Sequence, residues 1–331
     1  MSETRYENLD GIRAYACVGI ILMHVLVNSK LGLSGFIFER VIPSFTEFTY
    51  LYMLLSAFSM CCGYFEKFRN NEQSIEQFYK KRYARIWPFF ALLCTVELII
   101  EHDLNSLYEW FADLTLVFGL MPNHGITVIG VGWFLGIIFV FYMLFPFFVF
   151  LIRDKKNAWI VFAISIILHM LCNVRFLDSA GRGNIVYSSM FFLAGGLIFL
   201  YREDIKNNRV ISVAVLLGSV LAYYIFVQST YLLLAVFSMV AVCGISFNGK
   251  ISEVVFQNRM IKTFSSVSME IYLSHMLVYR VLEKMRLINM LSNQVLSYVM
   301  ISMVTIMGAF IVSLGYKKAL RLIQEKLKLC L

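Results

Sequence analysis

Charge is scarce in this chain. Asp, Glu, Lys and Arg make up only 15% of its 331 residues, while 60% are hydrophobic and mean hydropathy is +0.73. Soluble domains are about a quarter charged, so a soluble fold of this length lacks the polar surface it needs. Proline is scarce too, at four residues. No Pro/Gly/Ser-rich linker, low-complexity tract, internal repeat or polar block of domain size interrupts the apolar runs, which argues against a second domain. Cysteine is present but patternless. Of the seven, Cys17, Cys61, Cys62, Cys94, Cys172 and Cys243 lie inside apolar runs and behave as small hydrophobes. No disulfide or metal framework is implied, and no bound cofactor or metal is expected. The apolar stretch after Arg13 lacks a small-residue cleavage site, so it reads as a retained first helix.

What is present is a series of apolar runs long enough, at ~1.5 Å per residue, to cross a hydrocarbon core of ~30 Å. The expected spans are 12–28, 46–65, 84–101, 131–152, 158–174, 186–201, 210–228, 231–247, 266–284 and 295–316. An all-α polytopic membrane bundle of about ten transmembrane helices follows. A further segment, 107–121, carries Glu109 and Asp113 and ends at Pro122. If it does not cross, the clusters Lys67/Arg69/Lys80/Lys81/Arg82, Arg153/Lys155/Lys156, Arg202/Lys206/Arg209, Lys250/Arg259/Lys262 and Lys317/Lys318/Arg321 fall on one side, with both termini cytoplasmic. Counting it as a span breaks that pattern. It is therefore expected to be re-entrant or interfacial, with its backbone shielded by protein or water. One domain, 1–316, is expected, followed by an amphipathic cytoplasmic tail, 317–331, with Leu320, Ile323 and Leu327 at helical spacing. The net charge of +8 sits in these loops, so it does not point to nucleic acid.

Ionisable groups inside spans cost a few kcal/mol, which makes each one a functional candidate. On the first helix Asp10, Arg13, Cys17 and His24 form one stripe about 21 Å long, facing protein or water rather than lipid. His24 titrates near neutral pH and suits a general base; the alternative is a histidine hydrogen-bonded between helices. Arg13 is a functional group or an interface anchor paired to Asp10. Cys17 as an acyl carrier is the weaker idea. Arg82 and Arg85 share a helix face at the cytoplasmic mouth of the third span, where guanidinium forks suit phosphate oxygens; a positive-inside stop signal is the alternative. Glu270 and Ser274 lie one turn apart with His275 close by, and Glu97, His169, Trp133 and Tyr142 read first as packing or interface residues. Asn123, His124, Arg175, Asp178 and Arg182 occupy expected outer loops.

Four stretches in order carry a resemblance: Leu9-Asp-Gly-Ile-Arg13 followed by His24, Lys81-Arg-Tyr-Ala-Arg-Ile-Trp-Pro88, Trp133-Phe-Leu with Phe141-Tyr142 and Pro146, and Ser268-Met-Glu-Ile-Tyr272-Leu-Ser-His275. Together they resemble the bacterial membrane-bound acyltransferase-3 family over nearly the whole chain. The resemblance implies a ten-helix core in the bacterial cytoplasmic membrane that moves an acyl group, usually acetyl from cytoplasmic acetyl-CoA, onto a sugar hydroxyl of a surface or capsular polysaccharide or its lipid-linked precursor. Partners are then an acyl-CoA donor, a carbohydrate acceptor and membrane lipid. It implies His24 as the catalytic histidine, Arg13 with Asp10 as essential first-helix groups, Arg82 and Arg85 as the donor-binding pair, and Glu270, Tyr272, His275 and Trp133 as further candidates. Many members carry a Glu soon after the motif tryptophan; Gly136-Ile-Ile-Phe139 offers none. A transporter or flippase, or an acyltransferase acting on a lipid or other small acceptor, stays open from the residues alone.

Overall fold

A computed structural model gives the fold for residues 6–101, 104–116, 118, 130–172, 183–205, 209–288 and 290–329. Every regular element among the described residues is helical. In chain order these are α1 (Glu7–Ser29), the short α2 (Ile42–Ser44), α3 (Phe48–Arg69), α4 (Ile75–Glu101), α5 (Leu104–Leu114), α6 (Trp133–Leu151), α7 (Lys155–Cys172) and α8 (Ile185–Leu200). They continue with the short α9 (Arg202–Ile205), α10 (Arg209–Ile225), α11 (Thr230–Ser246), α12 (Lys250–Phe256), α13 (Arg259–Ser266), α14 (Ser268–Lys284) and α15 (Gln294–Leu329).

Among the described residues, six stretches are helical, long and apolar enough to cross a membrane: Glu7–Ser29, Ile37–Arg69, Ile75–Ile100, Gly130–Leu151, Lys155–Cys172 and Gln294–Glu325. The other expected spans fall on α8, α10, α11 and α14, of 16 or 17 residues. At ~1.5 Å per residue these are slightly shorter than a ~30 Å core. The segment expected not to cross begins as α5, whose 11 residues reach only about half that thickness. It folds back on α4 instead. The Trp87 indole donates to the Leu114 carbonyl at 2.8 Å, and the Trp110 indole to Thr95 Oγ1 at 3.0 Å. Asp154 starts α7, its Oδ1 accepting the Asn157 N–H at 2.9 Å. That bond is the main reason its carboxyl sits below the usual range.

The chain divides into two compact units, residues 1–12 with 49–257 and residues 13–48 with 258–331. The core of the first is aromatic: Tyr50 stacks on Phe191 with ring centroids 4.2 Å apart, and Phe141 on Phe192 at 4.5 Å. Gly195 lets α8 approach α3, since a Cβ there would stand 2.2 Å from the Leu54 carbonyl oxygen. Asn8 ties the start of α1 to α11 and α12. Its amide donates to the carbonyls of Gly244 at 3.0 Å and Phe247 at 2.8 Å, while its oxygen accepts from Ser252 and, at 2.8 Å, from Gln257.

In the second unit α14 and α15 form an antiparallel hairpin. Gly308 sits against Val278, where a Cβ would come within 2.8 Å of Cγ1. Phe264 stacks on Phe310 at 5.5 Å, and the Lys317 ammonium donates to the Ser266 carbonyl. Helix α15 runs without interruption through Lys317 to Leu329. Gly19 of α1 lies under Phe48, with a ring carbon 2.4 Å from where a Cβ would stand.

Candidate functional site

Two contacts fix α1 beside α14 in the second unit. Cys17 Sγ donates to the Ser268 carbonyl at 3.5 Å, and the rings of His24 and His275 lie 5.2 Å apart, tilted by 45°. Both pairs are separated by the same 251 positions, so the two helices run parallel and their seam recurs after two turns. Cys17 is fully buried on that seam. His24 is half-buried and His275 is buried.

The orientation of His275 is set by its own helix. Its Nδ1 lies 2.6 Å from the Tyr272 carbonyl oxygen; an acceptor at that distance requires Nδ1 to carry a hydrogen and donate it. In the neutral ring Nε2 is then a bare acceptor, and it is buried without a hydrogen-bond partner. Tyr272 is itself buried, its ring 6.0 Å from that of His275. Glu270 is buried, but the Ser274 hydroxyl donates to the Glu270 backbone carbonyl at 2.8 Å. The expected polar face of Glu270 and Ser274 is thus partly closed by a local bond that many intrahelical serines make.

Further along the same interior, the Tyr279 hydroxyl and Thr305 Oγ1 are buried and have no hydrogen-bond partner. Tyr279 stands one turn from His275, about 40° around α14. The Tyr298 hydroxyl donates to the Leu22 carbonyl at 3.0 Å, which turns that face of α15 towards α1. Thr305 lies two turns beyond on nearly the same face. Sequence reading passed over Tyr279 and Thr305. The four-residue step from His275 was a usable signal for Tyr279; Thr305 had none.

The arginine pair belongs to the first unit and is held unequally. Arg82 Nη2 donates to the Tyr64 hydroxyl at 2.8 Å, and its guanidinium carbon lies 4.9, 5.5 and 5.7 Å from the ring centroids of Tyr64, Phe78 and Tyr142. Three rings thus box the cation. Its Nε is buried without a partner, and Arg85 is exposed. Tyr142 thereby gains a definite contact, and Tyr64 is a wall of the box that spacing alone did not flag.

The remaining candidates are more scattered. Asp10 belongs to the first unit and Arg13 to the second; each is half-buried. Trp133 opens α6 and meets the next ring, Phe134, edge-on at 6.2 Å. His169 is buried, with Nδ1 2.9 Å from the Tyr187 carbonyl and its ring against Tyr187 and Tyr231, and Glu97 is buried in α4. Asn123, His124, Arg175, Asp178 and Arg182 lie outside the described residues.

One family model, described as an acyltransferase domain, matches residues 6–314. No curated protein and no solved structure matches the chain.

Proposed function

From the premise that this chain belongs to the acyltransferase-3 family and is a multi-pass membrane acyltransferase, we propose that it moves an acetyl group from cytoplasmic acetyl-CoA to a hydroxyl of a bacterial surface or capsular polysaccharide or its lipid-linked precursor. The observation that carries the reading is the His24–His275 pair, two imidazoles 5.2 Å apart on the seam of α1 and α14. A half-buried imidazole is the kind of group suited to take and return a proton near neutral pH.

In this scheme His24 takes the proton of the acceptor hydroxyl. The freed oxygen pair forms a C–O bond to the thioester carbonyl carbon, the C–S bond breaks, and the coenzyme A thiolate leaves and recovers the proton from the His24 imidazolium. No covalent acyl-enzyme is needed, consistent with a Cys17 thiol that is fully buried and bonded to Ser268. Arg82 and Arg85 hold donor phosphates, Arg82 from within its aromatic box and Arg85 from an exposed position. Arg13 and Asp10 support the first helix near its cytoplasmic end. In the membrane the chain takes ten crossings, with α5 dipping in without crossing and both termini in the cytoplasm. The one-sided cationic clusters support that topology.

The test is complementation. Wild type, His24→Ala and Arg82→Ala/Arg85→Ala are expressed at matched membrane levels in the source strain lacking this gene, and O-acetyl signals of purified surface polysaccharide are read by NMR. The expected result is restoration by wild type alone. Restoration by all three removes the assigned site. A deletion that leaves every surface glycan's acylation unchanged removes the polysaccharide acceptor.

A further inference from the structure

Buried polar groups in folded proteins are nearly always hydrogen-bonded, and an isolated exception calls for an explanation. Among the described residues the interior of the second unit holds four: His275 Nε2, the Tyr279 hydroxyl, Thr305 Oγ1 and, one turn along α15 from Tyr298, Ser302 Oγ, on residues no more than 2% exposed. They are not scattered. His275 and Tyr279 share the α14 face that meets α1, as the contacts of Cys17 with Ser268 and of His24 with His275 require. Thr305 shares the α15 face that Tyr298 anchors on the Leu22 carbonyl. The hairpin register brings Tyr279 and Thr305 to similar depth: Val278 faces Gly308, and in an antiparallel pair the residue after one lies level with residues just before the other.

The donor and acceptor pattern narrows the guest. His275 Nε2 takes a hydrogen bond and gives none while Nδ1 serves the Tyr272 carbonyl; the hydroxyls of Tyr279 and Thr305 both give and take. A hydroxyl is the simplest group that donates to the first and accepts from either of the others. An alkyl chain would leave all three unpaired.

We propose that His275, Tyr279 and Thr305 seat a second, non-reacting hydroxyl of the acyl acceptor, next to the hydroxyl from which His24 takes its proton. This rests on the acyltransferase reading given above for the role of His24. The three residues are positioning residues: they hold the acceptor by a hydroxyl that does not react, and no bond is made or broken at them.

The experiment measures binding without donor, so it does not depend on turnover. Purified protein in detergent is titrated with trans-1,2-cyclohexanediol and with trans-2-methoxycyclohexanol, which keeps the ring and one hydroxyl but loses the other donor; the readout is thermal stabilisation. The proposal expects the diol to bind wild type about tenfold more tightly than its ether, the value of one or two net hydrogen bonds. In Tyr279→Phe/Thr305→Val the two probes become equal. That double variant keeps shape and removes only orphan hydroxyls, so its melting temperature without ligand should not fall. A fall of several degrees would make the hydroxyls structural and overturn the proposal, as would equal binding of both probes by wild type or an undiminished preference in the double variant. His24→Ala separates the two readings. If it keeps the diol preference but transfers acetyl as fast as wild type, the seat stands and the catalytic role of His24 fails; if wild type transfers acetyl but has no preference, the reverse holds.

Discussion

Two buried polar clusters, one in each unit, end in opposite states. Around Asn8 every side-chain group is used: two carbonyls take its amide hydrogens, and a serine and a glutamine give to its oxygen. Around His275 the nearest backbone carbonyl takes one nitrogen, while the other nitrogen and the hydroxyls of Tyr279 and Thr305 go unmatched. A closed cluster fastens helices together. An open one gains free energy only when something with complementary donors and acceptors arrives, which is the state the proposed acceptor seat requires.

The sharpest way to break this contrast is to remove Asn8. Asn8→Ala removes hydrogen bonds to the Gly244 and Phe247 carbonyls and from Ser252 and Gln257, and unfolding in detergent should show a loss of about 2–3 kcal/mol. Tyr279→Phe should show none; equal losses at both places would erase the distinction. The arginine box lies between the extremes, with one guanidinium nitrogen bonded to Tyr64 and another unmatched. Arg82→Ala/Arg85→Ala should raise the apparent KM for acetyl-CoA by about 10- to 100-fold, the cost of one or two charge-assisted bonds, with a smaller change in acceptor KM. A smaller effect is expected from Tyr64→Phe, which keeps the ring under the guanidinium and removes one bond. It should raise donor KM by no more than about tenfold, and an effect as large as that of the double variant would assign the role to Tyr64 rather than to the arginines.

Much of this was legible along the chain, because lipid imposes simple rules. Long apolar runs between basic clusters must be helices, and α1, α3, α4, α6, α7 and α15 follow the expected spans. Helix α5, which carries Glu109 and Asp113, has 11 residues and packs on α4 through Trp87 and Trp110. Helical periodicity set Cys17 and His24 on one face of α1, and both meet α14; Arg82 and Arg85, three positions apart, are held differently, one boxed by rings and the other exposed. What periodicity does not carry is register between helices far apart in sequence. His24 meets His275 across 251 positions because Cys17 and Ser268 set the seam two turns earlier, a packing outcome with no local sign. Asn8 was missed for a related reason: a polar residue just ahead of an apolar run reads as an interface residue until its four partners, all more than 200 positions away, come into view.

The most direct test of the central claim is acetyl transfer by purified protein reconstituted in liposomes, with radiolabelled acetyl-CoA as donor and surface polysaccharide from the deletion strain as acceptor, comparing wild type with His24→Ala. Removing a general base should lower the rate by about 10²- to 10⁴-fold at saturating donor, with the protein still folded. A His24→Ala rate within a fewfold of wild type would contradict the account and move the proton's destination away from α1.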